Sequence, residues 1–140
     1  MPTPRFLNVD LDIESKHELT GLQSELGENV TVLVGGPVTP GCFQLRLEVL
    51  PEHDNPDDTI LALCSLLENL SASGKRAWRT AHKKEFDIGH ELATSGLASP
   101  FSLRNETLRR VAKLGATMGV TFYHHTRSKS SANKRKRARI

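Results

Sequence analysis

From Leu7 to Glu14 apolar and polar residues alternate one for one. A period of two is the signature of a β-strand with one dry and one wet face. Val9, Leu11 and Ile13 point one way; Asn8, Asp10, Asp12 and Glu14 point the other. The chain therefore has to build a sheet whose apolar side is covered and whose opposite side tolerates a row of carboxylates.

The rest of the chain supplies the cover. Ser15 is placed to cap a helix, and Glu18 to complete a capping box. Leu19, Leu22 and Leu26 form its apolar stripe, and Gly27 ends it. Val30 to Val34 is β-rich and predicts a second strand. Gly35-Gly36-Pro37 through Pro40-Gly41 predicts a loop with tight-turn chemistry. Cys42 to Leu50 predicts a third strand, with Phe43, Leu45, Leu47 and Val49 inward and Gln44, Arg46 and Glu48 outward.

Asn55-Pro56-Asp57-Asp58 is a helix start: a cap residue, proline in the first turn, then acids favourable to the helix dipole. Ile60, Leu63, Cys64, Leu67 and Leu70 follow at helical spacing. The Ser71–Gly74 break separates this helix from a short one over Lys75–His82. Glu85–Leu92 predicts a fourth strand, and Thr94–Ser102 a loop of small residues. A further helix is expected over Arg104–Leu114, with Leu108, Val111 and Ala112 inward and Gly115 as its stop. A fifth strand is expected over Thr117–His124, with Met118, Val120 and Phe122 on one face.

The order β-α-β-β-α-β, then α-β, predicts an α+β fold: a ferredoxin-like βαββαβ unit followed by an additional αβ, with the helices packed on one sheet face. At 140 residues the chain is long enough for one self-sufficient core. Residues 1–126 are read as that single domain, and 127–140 as a disordered basic tail.

Charge separates the two. Residues 1–70 carry 3 Lys/Arg against 12 Asp/Glu, and residues 71–140 carry 16 against 4. Seven of those cations fall after Thr126 with no acid among them, so the basic balance belongs to the tail and not to the folded body. No stretch approaches the roughly 18 apolar residues of a membrane span, and the first residues lack the apolar run of a secretory signal. Cys42 and Cys64 form no CxxC and no metal spacing, which fits a reduced cytoplasmic protein.

Several groups invite a chemical reading. Asp10 and Asp12 lie roughly 7 Å apart on one strand face, where paired carboxylates hold Mg²⁺ through water or divide acid and base roles, with His90 as a further participant. Against this stands Arg46, which a third strand beside the first would bring into charge pairs with them. The six histidines show no HxH, HxxxH or HExxH spacing, and neighbouring His124 and His125 point to opposite faces, so no metal is expected. Cys64 sits in a helix stripe and reads as core; Cys42 has better access but no evident base in the sequence around it. Gly35-Gly36-Pro37 lacks the lysine and the following helix of a phosphate loop.

Lys75, Arg76, Arg79, Lys83 and Lys84 pack five cations into ten residues, with Arg76, Arg79 and Lys83 on one helical face beside Trp78. This is a candidate phosphate-contacting patch; the plainer reading is a solvated face with Trp78 on the core. Lys134, Arg135, Lys136, Arg137 and Arg139 in the tail are candidates for nucleic-acid or anion contact without sequence readout. The expected open sheet face is net acidic and lacks the aromatics that base stacking requires, so nucleic-acid binding would fall to the tail and the basic helices.

Trp78-x-x-Ala81, Glu85-Phe-Asp-Ile-Gly89, then Leu108-x-x-Val-Ala-x-Leu-Gly115 leading to Val120-Thr-Phe-Tyr123 resembles small uncharacterised bacterial domains of unknown function. Asp87 stands where that pattern has Asn, and the basic tail lies outside it. The resemblance implies a compact domain of helices and strands, and implies no catalytic residues.

No catalytic constellation stands out. The leading expectation is a non-enzymatic module without cofactor that binds a protein partner through an open sheet face or edge. Nucleic-acid association through the tail and Lys75–Lys84 is the alternative, and an enzyme with a carboxylate site on the first strand is the second alternative.

Overall fold

The computed structural model describes residues 5–92 and 100–124. Within them the chain is α+β: β1 (Phe6–Ser15), α1 (Thr20–Leu26), β2 (Val30–Thr39), β3 (Cys42–Val49), α2 (Pro56–Glu68), α3 (Ala72–Thr80), β4 (Lys83–Glu91), α4 (Asn105–Lys113) and β5 (Thr117–Tyr123). The five strands form one mixed sheet in the order β2-β3-β1-β4-β5. The pairs β2–β3, β3–β1 and β1–β4 are antiparallel, and β4–β5 is parallel.

The alternation in β1 sets the centre of the molecule. Val9, Leu11 and Ile13 are fully buried, joined by Leu45, Leu47 and Val49 from β3 and by Phe86 and Ile88 from β4. The same apolar cluster takes Leu22 and Leu26 of α1, Ile60, Leu63, Cys64 and Leu67 of α2, Trp78 of α3 and Val111 of α4. The helices thus cover one face of the sheet, and the other carries the polar residues of the alternation. No helix among the described residues is long and apolar enough to cross a membrane.

Several local expectations need correcting. Ser15 does not cap a helix: it is the last residue of β1, and its Oγ accepts from the His17 N–H at 3.1 Å. The helix starts later, at Thr20, without a side-chain cap. Pairing of Ser15 with Phe43 of β3 holds this stretch extended beyond the point where local capping signals would begin a helix.

Gly35-Gly36-Pro37 is not a loop. It continues β2, with Gly35 opposite Leu45, Gly36 opposite Gln44 and Pro37 opposite Phe43. Because β2 is an edge strand, proline's missing N–H leaves no ladder bond unmade on the outer side. Register shifts after Val32 and after Pro37 absorb the irregularity. The turn itself is short, Pro40-Gly41, where Gly41 has φ +78°.

The helix expected from Lys75 begins at Ala72, capped by Ser71, whose Oγ accepts from Gly74 N–H at 3.1 Å. It ends at Thr80, so His82 lies outside it and Lys83 and Lys84 belong to β4. The buried face of α4 is also rotated from its expectation. Thr107 and Val111 are buried, whereas Leu108 is 46% exposed and Ala112 is exposed. A buried threonine wins that face because it meets a carboxylate on α2: Thr107 Oγ1 donates to Asp57 Oδ1 at 2.6 Å.

Candidate functional site

The open face of the sheet gathers the carboxylates of the first strand around one guanidinium. Cross-strand register puts Arg46 opposite Asp12, and Asp10 opposite Asp87. Arg46 Nη2 reaches Asp10 at 3.0 Å and Asp87 at 3.3 Å, and Nη1 lies 3.5 Å from Asp12. Asp12 also accepts from Gln44 at 3.0 Å and from Lys83 Nζ at 2.9 Å. Burial by itself would raise the Asp12 carboxyl; the Gln44 and Lys83 hydrogen bonds and the two nearby cations outweigh it and hold the pKa below the ordinary value. In return the Asp12 hydrogen bond raises the Lys83 ammonium, against the burial that opposes its charge.

The face is a neutralising network, in which Asp10 and Asp12 are each engaged by cations of this chain. His90 does not join them. It is buried on the helix side of β4, stacked on Phe101 at 5.7 Å between ring centres.

The five cations of residues 75–84 do not form one patch. Lys75, Arg76 and Arg79 are exposed on α3 and form no ion pair among the described residues. Lys83 turns onto the open sheet face, bound to Asp12 and 3.6 Å from Glu14. Lys84 turns the other way, with its Nζ 5.6 Å from the centre of the Trp78 ring. The expected shared face of Arg76, Arg79 and Lys83 fails because the helix stops at Thr80 and strand alternation then sends successive lysines to opposite sides. Trp78 itself is buried, and its Nε1 donates to the Leu114 carbonyl at 2.8 Å. The tail candidates Lys134, Arg135, Lys136, Arg137 and Arg139 lie outside the described residues, as does the Thr94–Ser99 part of the small-residue loop.

The two cysteines differ sharply. Cys64 is buried in the core, and burial pushes its thiol up to about 11, more than nearby Arg110 lowers it. Cys42 is only half-buried, at the first position of β3, and tertiary structure supplies what its local sequence lacks. Glu14 and His82 stand beside it, and one ligand-type atom from each of the three lies within 4.8 Å of the others. No spacing rule finds this cluster, because its members come from three segments. The one sequence clue is parity: Glu14 and Cys42 fall on the polar face of their strands.

At the far edge, among the described residues, β5 pairs only with β4. Its sequence Thr-Met-Gly-Val-Thr-Phe-Tyr carries no charge, no proline and no register shift against β4. Val120 is 47% and Phe122 45% exposed. An uncharged, regular edge strand with exposed apolar side chains is a ready template for another strand.

No protein family, curated protein or solved structure matches the chain.

Proposed function

We propose that this domain is a non-enzymatic protein-interaction module that docks a second copy of itself along the free edge of β5. The observation that carries the reading is the contrast between the two sheet edges. β2 is interrupted by two register shifts and Pro37, devices that discourage strand addition. β5 has neither, and it exposes Val120 and Phe122.

A two-fold antiparallel pairing centred on Val120 would set Val120 against itself and Met118 against Phe122 of the second copy. No charge meets a like charge, so the strand is self-complementary as a two-fold interface requires.

Two further features support the wider reading. The order β2-β3-β1-β4, with each neighbouring pair antiparallel, supports a ferredoxin-like βαββαβ unit to which α4 and β5 are an addition. On this view the docking edge is the added strand. The two free cysteines support a reducing, cytoplasmic setting.

Sedimentation velocity of the full chain over a concentration series tests the proposal. The wild type is expected to be a dimer that dissociates on dilution. Val120→Lys, which places a charge on the edge, is expected to be a monomer with an unchanged circular dichroism spectrum. A wild type that stays monomeric throughout, or a Val120→Lys variant that dimerises equally well, overturns the reading.

One observation favours nucleic-acid association as a second reading: Lys75, Arg76 and Arg79 are exposed and unpaired among the described residues. A salt series of fluorescence anisotropy with labelled duplex separates it. Changing those three to Gln is expected to flatten the log–log salt slope by about 0.9 per lost phosphate contact. The same change at Lys134, Arg135, Lys136, Arg137 and Arg139 measures the tail's share. Absence of binding near physiological salt removes this reading.

A further inference from the structure

The cluster at the end of the open sheet face has the chemistry of a metal site. We propose that Glu14, Cys42 and His82 bind one divalent transition-metal ion of the zinc class.

The three ligands arrive from three places in the sheet. Glu14 is near the end of β1, the central strand, with Gln44 of β3 on one side and Lys83 of β4 on the other. Cys42 opens β3 just after the Pro40-Gly41 turn, on the same face as Gln44. His82 immediately precedes β4, and its backbone N–H donates to the Glu14 carbonyl at 2.9 Å. That bond holds the imidazole beside the carboxylate, with Nε2 3.8 Å from Glu14 Oε1.

Glu14 divides its two oxygens. Oε2 faces the Lys83 ammonium at 3.6 Å, while Oε1 faces His82. Lys83 thus orients the carboxylate without occupying the oxygen that points into the cluster. Such outer partners are a regular part of metal sites, where they set the direction of a ligand.

The donor set selects the ion. A thiolate, an imidazole and a carboxylate together suit zinc and its neighbours; magnesium and calcium take oxygen ligands. Tetrahedral zinc, with bonds of about 2.0–2.3 Å, places its ligand atoms roughly 3.3–3.8 Å apart. The separations here all lie within 4.8 Å, so the side chains need to close by no more than about 1 Å. The Glu14 and His82 side chains are 30% and 47% exposed, so rotation about their own bonds supplies that closure with no shift of the core. Three protein ligands leave a fourth position for water, the arrangement of zinc sites that keep one coordination position open.

The test is a cobalt(II) titration of the reduced full chain, followed by displacement with zinc. Cobalt is expected to bind one ion per chain and to give the near-ultraviolet thiolate-to-cobalt charge-transfer band, which zinc then abolishes. Cys42→Ser is expected to lose the band. His82→Ala is expected to weaken binding by more than the roughly 10–100-fold that follows loss of an outer partner. His17→Ala, an exposed histidine elsewhere, is expected to bind like the wild type. A wild type without the charge-transfer band, or a Cys42→Ser variant with wild-type affinity, overturns the proposal. If Cys42→Ser fails to fold by circular dichroism, His82→Ala decides the matter, because its side chain is solvent-facing and outside the core; wild-type affinity in that variant also overturns the proposal.

Discussion

Arg46 Nη2 stands 3.0 Å from Asp10 Oδ2, and both side chains are largely screened from water. The same guanidinium nitrogen reaches Asp87, and its twin reaches Asp12. One arginine on β3 therefore compensates three carboxylates on β1 and β4. Removing one partner from a shielded charge network leaves the others uncompensated. Arg46→Met is expected to destabilise the domain by about 3 kcal/mol, the lower end of the range for buried pairs, because Lys83 still holds Asp12. Arg46→Lys should be intermediate, since a point ammonium cannot bridge three carboxylates. Urea unfolding at neutral pH measures both; an Arg46→Met variant as stable as the wild type contradicts the network's role.

A second tie joins the start of α2 to α4. Asp57 accepts from Thr107 Oγ1 at 2.6 Å, from the Arg104 backbone N–H at 3.0 Å and from the Arg104 guanidinium. Burial would raise the Asp57 carboxyl, but the Thr107 and Arg104 hydrogen bonds more than offset it and hold its pKa below the ordinary aspartate value. A carboxylate with a depressed folded pKa contributes stability that is present above its unfolded value and lost as pH falls through the folded one. Asp57→Asn should therefore cost most near neutrality, and the gap to wild type should narrow as pH falls below the ordinary carboxylate range. Thr107→Val should cost about 1–3 kcal/mol at neutral pH by leaving a buried acceptor short of a donor. A pH-independent gap for Asp57→Asn would refute the linkage.

The two thiols should separate by reactivity. Burial holds Cys64 protonated well above neutrality, with a pKa of about 11, inside the core. Cys42 is partly accessible. A colourless-to-yellow disulfide reagent at about pH 8 should titrate one thiol quickly in the native chain and two after denaturation. Cys42→Ser should remove the fast phase entirely. A fast phase that persists in that variant would place the accessible thiol at Cys64.

Trp78 reports on the packing of α3 against the turn after α4. Its Nε1 donates to the Leu114 carbonyl at 2.8 Å, and Lys84 lies over its ring. Trp78→Phe keeps an aromatic ring but removes the donor, and should cost about 1–3 kcal/mol in urea unfolding. Lys84→Ala should cost less, about 0.5–1 kcal/mol, as befits a cation–π contact near the surface. The reverse ranking would mean that the ring, and not its hydrogen bond, is what fastens this corner.

Much of the fold is legible along the chain because its elements are declared by local periodicity. The alternation Val9–Asp10–Leu11–Asp12–Ile13–Glu14 announces the central strand and its two faces. Asn55-Pro56 announces α2, where Asn55 Oδ1 caps the Asp58 N–H at 2.8 Å. Local signals mislead where pairing overrides them. Ser15 has the chemistry of a cap yet ends a strand, and Gly35-Gly36-Pro37 has the chemistry of a loop yet joins an edge strand. Leu108 has an apolar side chain yet faces outward, because Thr107 is drawn inward by Asp57.

The candidate sites divide along the same line. The sequence by itself determined that a carboxylate face exists, that Arg46 belongs on the neighbouring polar positions, and that Cys64 is core, since each follows from a period of two or 3.6 residues. Only the tertiary structure decided that Lys83 and Lys84 turn to opposite sides of the sheet and that His90 lies away from Asp10 and Asp12. It alone brought Glu14, Cys42 and His82 together and left the uncharged β5 at the sheet edge among the described residues. The physical reason is that periodicity assigns a residue to a face. Strand order and cross-strand register, set by burial of the whole apolar cluster, assign it a neighbour.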